Sequence, residues 1–320
     1  MNQEQEYNVL SEFDGMSCGQ LALLRTGKKI TNYFASEIDK YAVQIAIKNF
    51  PNTKHLGDVT KIKIEELPKI HLFIGGSPCQ GFSFAGKQLN FNDSRSRLFF
   101  EFAADLRFIQ EFINEDVEFL LENVKMKKEY QDVISKFLGI EPIEINSSLL
   151  SAQIRKRLYW TNIKNISIPE DKNILLESVI ENGFVDRDKS FCLDANYFKG
   201  TNARQYLCKS RRQIIWVIPE ATKKGYVEVK NGDCIDLTFI KSKTRRGRLM
   251  IKKSNCLTAV KSKFCLVTND WFRMLTPIEE ERLQTLPDNY TQGVSNMQRY
   301  KMLGNGWTVD VISHIFKNLS

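Results

Sequence analysis

The amino-acid sequence predicts an α/β protein whose large domain is built on a mostly parallel sheet and carries a small, β-rich second domain. Over the first 160 residues, short apolar runs alternate with segments of helical periodicity, which is the pattern of βα units. Long helical patterns disappear at about residue 164 and return near residue 270. We therefore assign residues 1–163 and 268–320 to the large domain and residues 164–267 to the inserted one.

Each element of the large domain has its own local signal. A short helix after the first strand is predicted to end at Gly27, a residue type that favours the backbone of a helix C-cap, and Pro51 stops the next helix. Thr276-Pro277 marks the start of a later helix that carries residues 279–286. The predicted strands are Asn8–Phe13, Tyr33–Ser36, His71–Ile74 and Val117–Leu121, and the predicted helices include Tyr41–Phe50 and Leu98–Ile113.

The predicted second domain has few helical patterns and much positive charge. Strand-like segments occur at Gln213–Ile218 and Asp236–Ile240. Residues 199–263 hold 17 Lys and Arg against four acidic residues, an excess of 13 positive charges, whereas the whole chain has a net charge of +8. A basic segment on an otherwise mildly acidic protein indicates a polyanionic partner, although a solvated charged face would have the same composition.

The composition excludes several classes of protein. An apolar fraction of 42% and a charged fraction of 26% are ordinary for a soluble globular chain. No apolar run approaches the roughly 18 residues of a membrane span, and the first residues lack a signal-peptide pattern, so we expect a cytoplasmic protein without membrane association. The seven cysteines form an odd set with no CxxC pair, which predicts free thiols and no structural metal site.

Three predicted strand ends carry groups suited to an adenosine-containing cofactor. The loop 14–19 contains two glycines and other small residues, so its backbone N–H groups can approach a ligand closely. Glu37 lies about 20 residues further on, near the spacing at which an acid accepts both ribose hydroxyls. Asp58 can accept from an adenine amino group, with Ile38 and Val59 as apolar neighbours. The GxGxxG phosphate fingerprint is absent, which favours a cofactor without a pyrophosphate, although the loop alone would also suit a tight turn.

Four short motifs follow one another along the chain: residues 75–83 (GGSPCQGFS), 122–124 (ENV), 153–157 (QIRKR) and 304–305 (GN). In type and order they resemble the motifs of the DNA (cytosine-5)-methyltransferases, with that family's variable target-recognition region between the last two. The local wording is closest to the catalytic domain of the eukaryotic de novo enzymes. The regulatory domains of those larger proteins have no room in 320 residues, which favours a stand-alone enzyme of bacterial or phage type.

The resemblance implies a Rossmann-like S-adenosylmethionine-dependent methyltransferase fold and a covalent mechanism. Cys79 would add to C6 of cytosine and so make C5 nucleophilic. Glu122 would hydrogen-bond or protonate N3, while Arg157, with Arg155, would hold the cytosine O2. Because C5 and C6 are inaccessible in the base stack, the cytosine would have to be flipped out of duplex DNA. The acceptor of the C5 proton is left open between a side chain and a water molecule.

Plainer roles remain open for the same residues. Cys79 would also serve as a small apolar residue after a strand, and Glu122 as a helix-capping acid. Arg155 and Arg157 would share one face of a strand, where they could pair with surface acids. By resemblance, residues 82–97 form a loop that closes over DNA, and an ordinary flexible loop is the alternative.

The resemblance also assigns binding residues, with two departures from the family pattern. Ser17 stands where many members have the second glycine of an FxGxG motif, and Gly306-Trp307 stands where many bacterial members have Ser and an aliphatic residue. No metal is implied. The residues expected to bind S-adenosylmethionine are Phe13, Asp14, Gly15, Met16, Ser17, Cys18, Glu37, Ile38, Asp58, Val59, Pro78, Leu98, Asn305, Gly306 and Trp307, and those expected to contact DNA are Gln80, Ser83, Arg245, Arg246 and Arg248.

Duplex DNA is the expected partner, with a cognate restriction endonuclease as a further candidate and a monomer as the expected state. A related enzyme that acts on tRNA is the first alternative. Such members usually differ at the positions of Gly81 and Ser83, so this sequence favours DNA. The second alternative is an inactive DNA-binding relative, a type of protein that loses the nucleophile or the ENV glutamate, both of which are present here.

Overall fold

The computed structural model describes most of the large domain and about two thirds of the second one. The described residues are 6–78, 94–183, 185–223, 225–227, 234–235, 244, 249–250 and 272–320. Cys79, Gln80, Ser83, Arg245, Arg246, Arg248 and the predicted strand Asp236–Ile240 lie outside them. No helix in these ranges is long and apolar enough to cross a lipid bilayer.

The large domain is built on a seven-stranded sheet. Its strands are β1 (Glu6–Glu12), β2 (Lys29–Ser36), β3 (Lys54–His55), β4 (Leu72–Gly75), β5 (Glu118–Val124), β6 (Ile143–Asn146) and β7 (Lys156–Thr161). Their spatial order is β3-β2-β1-β4-β5-β7-β6. All neighbouring pairs among the first five strands are parallel, whereas β7 runs antiparallel to both β5 and β6. The prediction of a mostly parallel α/β sheet is therefore confirmed.

Eight α-helices accompany the strands among the described residues. Gly27 ends the first helix with a left-handed φ of 74°, as its position in the sequence predicts. Thr276 starts the sixth, with reciprocal side-chain bonds between Thr276 and Glu279 that form a capping box. The helices are α1 (Cys18–Thr26), α2 (Lys40–Asn49), α3 (Ser94–Phe108), α4 (Lys128–Leu138), α5 (Ala203–Lys209), α6 (Pro277–Leu283), α7 (Asn296–Asn305) and α8 (Val309–Phe316).

Several predicted boundaries were wrong, each for a local reason. The first strand stops before Phe13, whose φ of 55° is left-handed. The strand predicted at Val117–Leu121 continues to Val124, because it pairs with β7 along that length. The helix predicted at Leu98–Ile113 begins at Ser94 and widens after Phe108 into a π-helical turn. The helix predicted over residues 279–286 ends at Leu283, just before the left-handed Thr285.

Two hydrophobic clusters cover the two faces of the sheet. Successive side chains of a strand point to opposite faces, so neighbouring residues separate into different clusters. On β1, Val9 belongs to the cluster beneath α1 and α8, and Leu10 to the cluster beneath α3. Phe73 stacks on Phe102 of α3 with ring centroids 4.3 Å apart. This two-sided burial holds the sheet in place, and the five parallel strands β1 to β5 have their carboxyl ends at one edge.

The described part of the second domain contains helix α5 and several short strands, which pair with one another or with β13. These strands are β8 (Ile214–Trp216), β9 (Ile218–Pro219), β10 (Tyr226–Val227), β11 (Cys234–Ile235), β12 (Leu249–Met250) and β13 (Phe272–Met274), which pair antiparallel as β8 with β13, β9 with β10 and β11 with β12. A third hydrophobic cluster joins Leu176, Val179 and Ile215 of this part to Leu283 of α6. Because β13 still pairs with β8, the chain remains in contact with the second domain after residue 267. The proposed domain limits stay a prediction.

Candidate active site

The candidate site lies at the carboxyl edge of the sheet. β1, β2, β4 and β5 are mutually parallel in this part of the sheet, so the loops that follow them meet at one edge. In open α/β sheets this edge is where ligands bind. Most of the residues that the sequence assigns to cofactor binding or catalysis stand on these loops or on the strand ends beside them.

The loop after β1 is shaped from within by Asp14. Its carboxylate accepts hydrogen bonds from the hydroxyls of Ser11 and Tyr33, each at 2.7 Å, and from that of Ser17. Burial raises the pKa of Asp14, and these three donors partly offset the shift. Ser17 has a left-handed φ of 62°, which accounts for the glycine that many relatives of this type have there. The Asp14 carboxylate is therefore hydrogen-bonded to side chains of the protein itself. The backbone N–H of Asp14 donates to Ser36 O at 3.0 Å.

Glu37 connects this loop to the end of β2. One carboxylate oxygen accepts the backbone N–H of Gly15 at 2.9 Å, and the other accepts those of Ile38 and Asp39 at 2.8 Å each. Gly15 has a φ of 59°, and a Cβ there would meet no atom within 4 Å. The loop therefore presents an open backbone surface beside a carboxylate, which suits a ribose and a charged amino-acid moiety.

The remaining residues assigned to the adenine lie around the ends of β2 and β3. Ile38 is 79% exposed, whereas Val59 is buried. Asp58 starts a single 3-10 turn and accepts hydrogen bonds from the N–H and hydroxyl of Thr60, at 3.0 and 2.9 Å. These two bonds lower the pKa of Asp58. The exposed apolar side chain of Ile38, next to Glu37 in the chain, is a surface suited to an adenine ring.

The other residues assigned to the cofactor lie around the start of α1, after β4, on α3 and at the end of α7. Met16 and Cys18 are buried behind the loop, and the Tyr290 hydroxyl donates to Met16 O at 2.7 Å. Leu98 lies half-buried on α3, and Pro78 stands half-buried after β4. Asn305 is exposed at the end of α7, and Gly306 follows it.

The segment that leads to Cys79 is held by the ENV asparagine. The Asn123 side-chain amide donates to the carbonyl and the hydroxyl of Ser77, at 3.4 and 3.3 Å. The side-chain oxygen of Asn123, Oδ1, accepts the backbone N–H of Val124 at 2.8 Å. Asn123 therefore positions the chain two residues before Cys79. The sequence placed this asparagine in the ENV motif and predicted no contact for it.

Glu122 and Arg157 form a nearly buried ion pair. Arg157 is the second residue of β7, and the antiparallel pairing places it opposite Val124 at the end of β5. Its Nε lies 2.9 Å from Glu122 Oε1, with 13% and 11% of the two side chains exposed. The sequence assigned both residues to catalysis, and the structure brings them together.

Trp307 approaches the same carboxylate from the opposite end of the chain. Its indole Nε1 donates to Glu122 Oε2 at 3.0 Å. Gly76 makes this approach possible, since a Cβ there would lie 2.9 Å from Trp307 Nε1 and 3.3 Å from Glu122 Oε2. Trp307, which the sequence assigned to the cofactor, is therefore in direct contact with the candidate catalytic acid.

Arg155 has different surroundings from Arg157. Its guanidinium is buried and donates to the carbonyls of Gly306 and Gly304, at 2.8 and 3.2 Å, and to that of Leu193 at 3.3 Å. Burial lowers the pKa of Arg155. Two of these three carbonyls belong to the backbone that precedes Trp307, and the role of Arg155 at the cytosine O2 stays a prediction.

Two features were missed by the sequence analysis. Gln284 donates to the carbonyls of Leu303 and Gly306, at 2.7 and 3.1 Å, and so supports the same turn as Arg155. Glu12 is fully buried at the end of β1, where burial, Asp105 and Glu101 raise its pKa well above the ordinary value. In the sequence, the only indication of an unusual Glu12 is its position as an acidic residue at the end of an apolar strand.

Sequence comparison connects this geometry to known proteins. A family model described as C-5 cytosine-specific DNA methylase matches residues 7–320. The type II methyltransferase M1.ScrFI of Lactococcus lactis subsp. cremoris is 30% identical over 344 aligned positions, which cover 98% of this chain and 78% of that protein. The type II methyltransferase M.HhaI of Haemophilus parahaemolyticus is 27% identical, with 96% and 92% covered. The matches span both domains.

Structural comparison gives the same fold. The methyltransferase EhMeth of Entamoeba histolytica superposes with a TM-score of 0.65 and 18% identity over 98% of both chains. At this identity the likeness concerns the arrangement of helices and strands. It extends over the second domain as well as the sheet.

Proposed function

Because the chain belongs to the C-5 cytosine-specific DNA methylase family, we propose that it transfers the methyl group of S-adenosylmethionine to C5 of a cytosine flipped out of duplex DNA. The observation that carries this proposal is the nearly buried pair of Glu122 Oε1 and Arg157 Nε, 2.9 Å apart, beside residues 76–78, which lead from β4 to Cys79. A nearly buried carboxyl group beside a guanidinium suits N3 and O2, two neighbouring polar atoms of cytosine.

In the proposed reaction the Cys79 sulfur forms a bond to C6 of the cytosine. The electron pair of the C5–C6 double bond moves toward N3, where Glu122 supplies a hydrogen bond or a proton. C5 then attacks the methyl carbon, and the methyl–sulfonium bond breaks with its electron pair on sulfur. A base removes the C5 proton, the returning electrons expel the Cys79 thiolate and restore the C5–C6 double bond, and any proton on N3 returns to Glu122.

Arg157 has two tasks in this scheme. It would donate to the cytosine O2, where negative charge grows as the ring accepts the thiolate. It also holds one oxygen of Glu122 through its Nε. Because both side chains are nearly buried, these interactions are screened by little water.

The residues around the β1 and β2 loops fit S-adenosylmethionine. When bound, that molecule supplies a methyl group made electrophilic by a sulfonium. Glu37 would accept the ribose hydroxyls, and exposed Ile38 would pack on the adenine. The open backbone at Gly15 would approach the amino-acid moiety. Residues on the Gly306–Trp307 turn would border its methionine end.

The second domain, residues 164–267, would bind the DNA target. Its excess of positive charge would contact phosphates, and Arg245, Arg246 and Arg248 are the candidates for reading guanine beside the target base. Flipping the base costs a few kcal/mol, which contacts to the flipped base and to the backbone would offset. A monomeric state, a cytoplasmic location and a partner restriction endonuclease stay predictions.

The direct test is to incubate the purified chain with S-adenosylmethionine and either duplex DNA or tRNA, and to quantify 5-methylcytosine by mass spectrometry. We expect the modified base in DNA, with a Glu122→Gln variant slower by roughly 100-fold or more. Methylation of tRNA alone would assign the chain to the RNA-modifying alternative. Specific DNA binding without any methylation would assign it to the inactive one.

A further inference from the structure

Trp307 is wedged between the first helix and the candidate catalytic acid. At one edge of the indole, Cζ3 would lie 3.4 Å from a Cβ placed on Gly19 of α1. At the other edge, Nε1 lies against Gly76 and donates to Glu122 Oε2 at 3.0 Å. Glycines at 19 and 76 thus leave the space that the ring fills.

The backbone that carries Trp307 is itself fixed. The Gly306 N–H donates to Met302 O at 2.7 Å, and the Gly306 carbonyl accepts from Arg155 at 2.8 Å and from Gln284 at 3.1 Å. A hydrogen bond from the Trp307 backbone also reaches the Cys18 thiol and partly offsets the burial that raises the pKa of Cys18 to about 12. The indole N–H therefore points at Glu122 from a rigid support.

Glu122 is consequently held at both carboxylate oxygens. Arg157 Nε occupies Oε1 and Trp307 Nε1 occupies Oε2, and the two donors come from different elements. The terminal torsion of a free glutamate is broad, so a single donor would leave the carboxyl plane able to rotate. Two donors on different oxygens restrict that rotation.

We propose that Trp307 is a positioning residue for Glu122, fixing the orientation of its carboxyl group through the indole N–H. This inference rests on the proposed function, in which Glu122 acts at N3 of the cytosine. It differs from the role of lining the cofactor, which needs the bulk of the ring and makes no use of its N–H. A loss of the N–H should therefore slow the chemical step and leave cofactor affinity nearly unchanged.

The test compares Trp307→Phe with a matched control, Trp160→Phe. Trp160 is also buried and donates its indole N–H at 3.0 Å, but to Ser135 Oγ, away from Glu122. We expect Trp307→Phe to lower the single-turnover methylation rate by about 10-fold or more, the effect of one lost hydrogen bond to a charged group, with S-adenosylmethionine Kd within about threefold of the parent. The control should keep the parental rate.

A double-mutant cycle distinguishes action through Glu122 from other effects. In a Glu122→Gln background, Trp307→Phe should change the residual rate by less than about twofold, because the group that it orients has already been replaced. If the full loss persists in that background, or if the loss lies entirely in cofactor Kd, the proposal is wrong.

Two further measurements keep the outcomes separate. If Trp307→Phe lowers the melting temperature far more than the control does, Gly76→Ala replaces it, since the added Cβ would displace the indole N–H by steric contact. Methylation by the parent chain is measured first. An inactive parent would refute the proposed function together with this inference, whereas an active parent with an unimpaired Trp307→Phe variant would refute the inference alone.

Discussion

Glu122 and Arg157 owe their importance to burial as much as to charge. An ion pair with only 13% and 11% of its side chains exposed has given up most of its hydration, and its mutual hydrogen bonds offset that cost. Removing Arg157 would leave the nearly buried Glu122 carboxylate with the hydrogen bond from Trp307 but without this ion pair. The same dry surroundings strengthen each contact that the pair makes with a substrate.

Replacement of Arg157 by lysine keeps the charge and removes the planar fork of donors. We expect Arg157→Lys to lower the methylation rate roughly 10- to 100-fold, because an ammonium group lacks the fixed planar fork that would aim separate N–H groups at Glu122 and at the cytosine O2. Single-turnover assays on duplex DNA measure this. Lys125→Arg, on an exposed cation of the same domain, serves as the control. A fully active Arg157→Lys variant would contradict the double role of Arg157.

Glu12 makes stability depend on pH. Its pKa is raised in the folded chain, so the folded state holds this proton more tightly than the unfolded state does. The free energy of unfolding therefore falls as the pH rises above about 4.3, the ordinary pKa of a glutamate, toward the raised value. Glu12→Gln should remove this loss. The free energy of unfolding of the variant minus that of the parent should therefore be higher at pH 8 than at pH 4, by about 1 kcal/mol or more.

Chemical denaturation at the two pH values checks the prediction. Glu6→Gln is the matched control on the same strand, because Glu6 is exposed and its hydrogen bond with Lys29 lowers its pKa. That control should be slightly less stable than the parent at pH 8. Equal pH dependence in the parent and in Glu12→Gln would mean that Glu12 is not the group responsible.

At the scale of elements, local signals predicted much and long-range pairing explains the rest. Gly27, Pro51 and Thr276-Pro277 correctly predicted where helices begin or end, because caps and stops depend on a few adjacent residues. The reversed direction of β7 depends on pairing with β5, which no local pattern encodes. The motifs therefore assigned Arg157 to the site but could not distinguish its surroundings from those of Arg155.

Close packing explains why the first residue of the GN motif, Gly304, is a glycine. A Cβ on Gly304 would lie 2.3 Å from both Ala195 N and Asp194 C. An alanine there must therefore displace the backbone of the second domain that packs against α7. We expect Gly304→Ala to lower the free energy of unfolding by roughly 1–3 kcal/mol. Met297→Ala, on an exposed residue of the same helix, should change it by less than about 0.5 kcal/mol. Equal unfolding midpoints for the two variants would refute this explanation.

At the scale of the whole molecule, charge is divided between the two domains. Residues 199–263 carry an excess of 13 positive charges on a chain whose net charge is +8, so the rest of the chain has a net negative charge. Such a division directs a polyanion to the second domain and away from the remainder. The sequence alone was sufficient for this inference, since composition does not depend on the fold.

The salt dependence of DNA binding should report this segment. Replacing Arg245, Arg246 and Arg248 together with alanine should reduce the slope of log K against log salt by about 1 for each lost phosphate contact. The control is the exposed triple change Lys61→Ala, Lys63→Ala and Lys69→Ala in the large domain, which should leave the slope unchanged. Fluorescence anisotropy with a duplex oligonucleotide measures both, and equal slopes would place the DNA elsewhere.

The covalent step at Cys79 is tested most directly with duplex DNA that contains 5-fluorocytosine. Fluorine at C5 cannot leave as a proton does, so β-elimination is blocked and the sulfur–C6 bond persists. With S-adenosylmethionine present, the parent should form a protein–DNA adduct that survives denaturation and maps to the Cys79 peptide, and Cys79→Ser should form none. Methylation of normal DNA by Cys79→Ser at the parental rate, or an adduct mapped to another cysteine, would contradict the account.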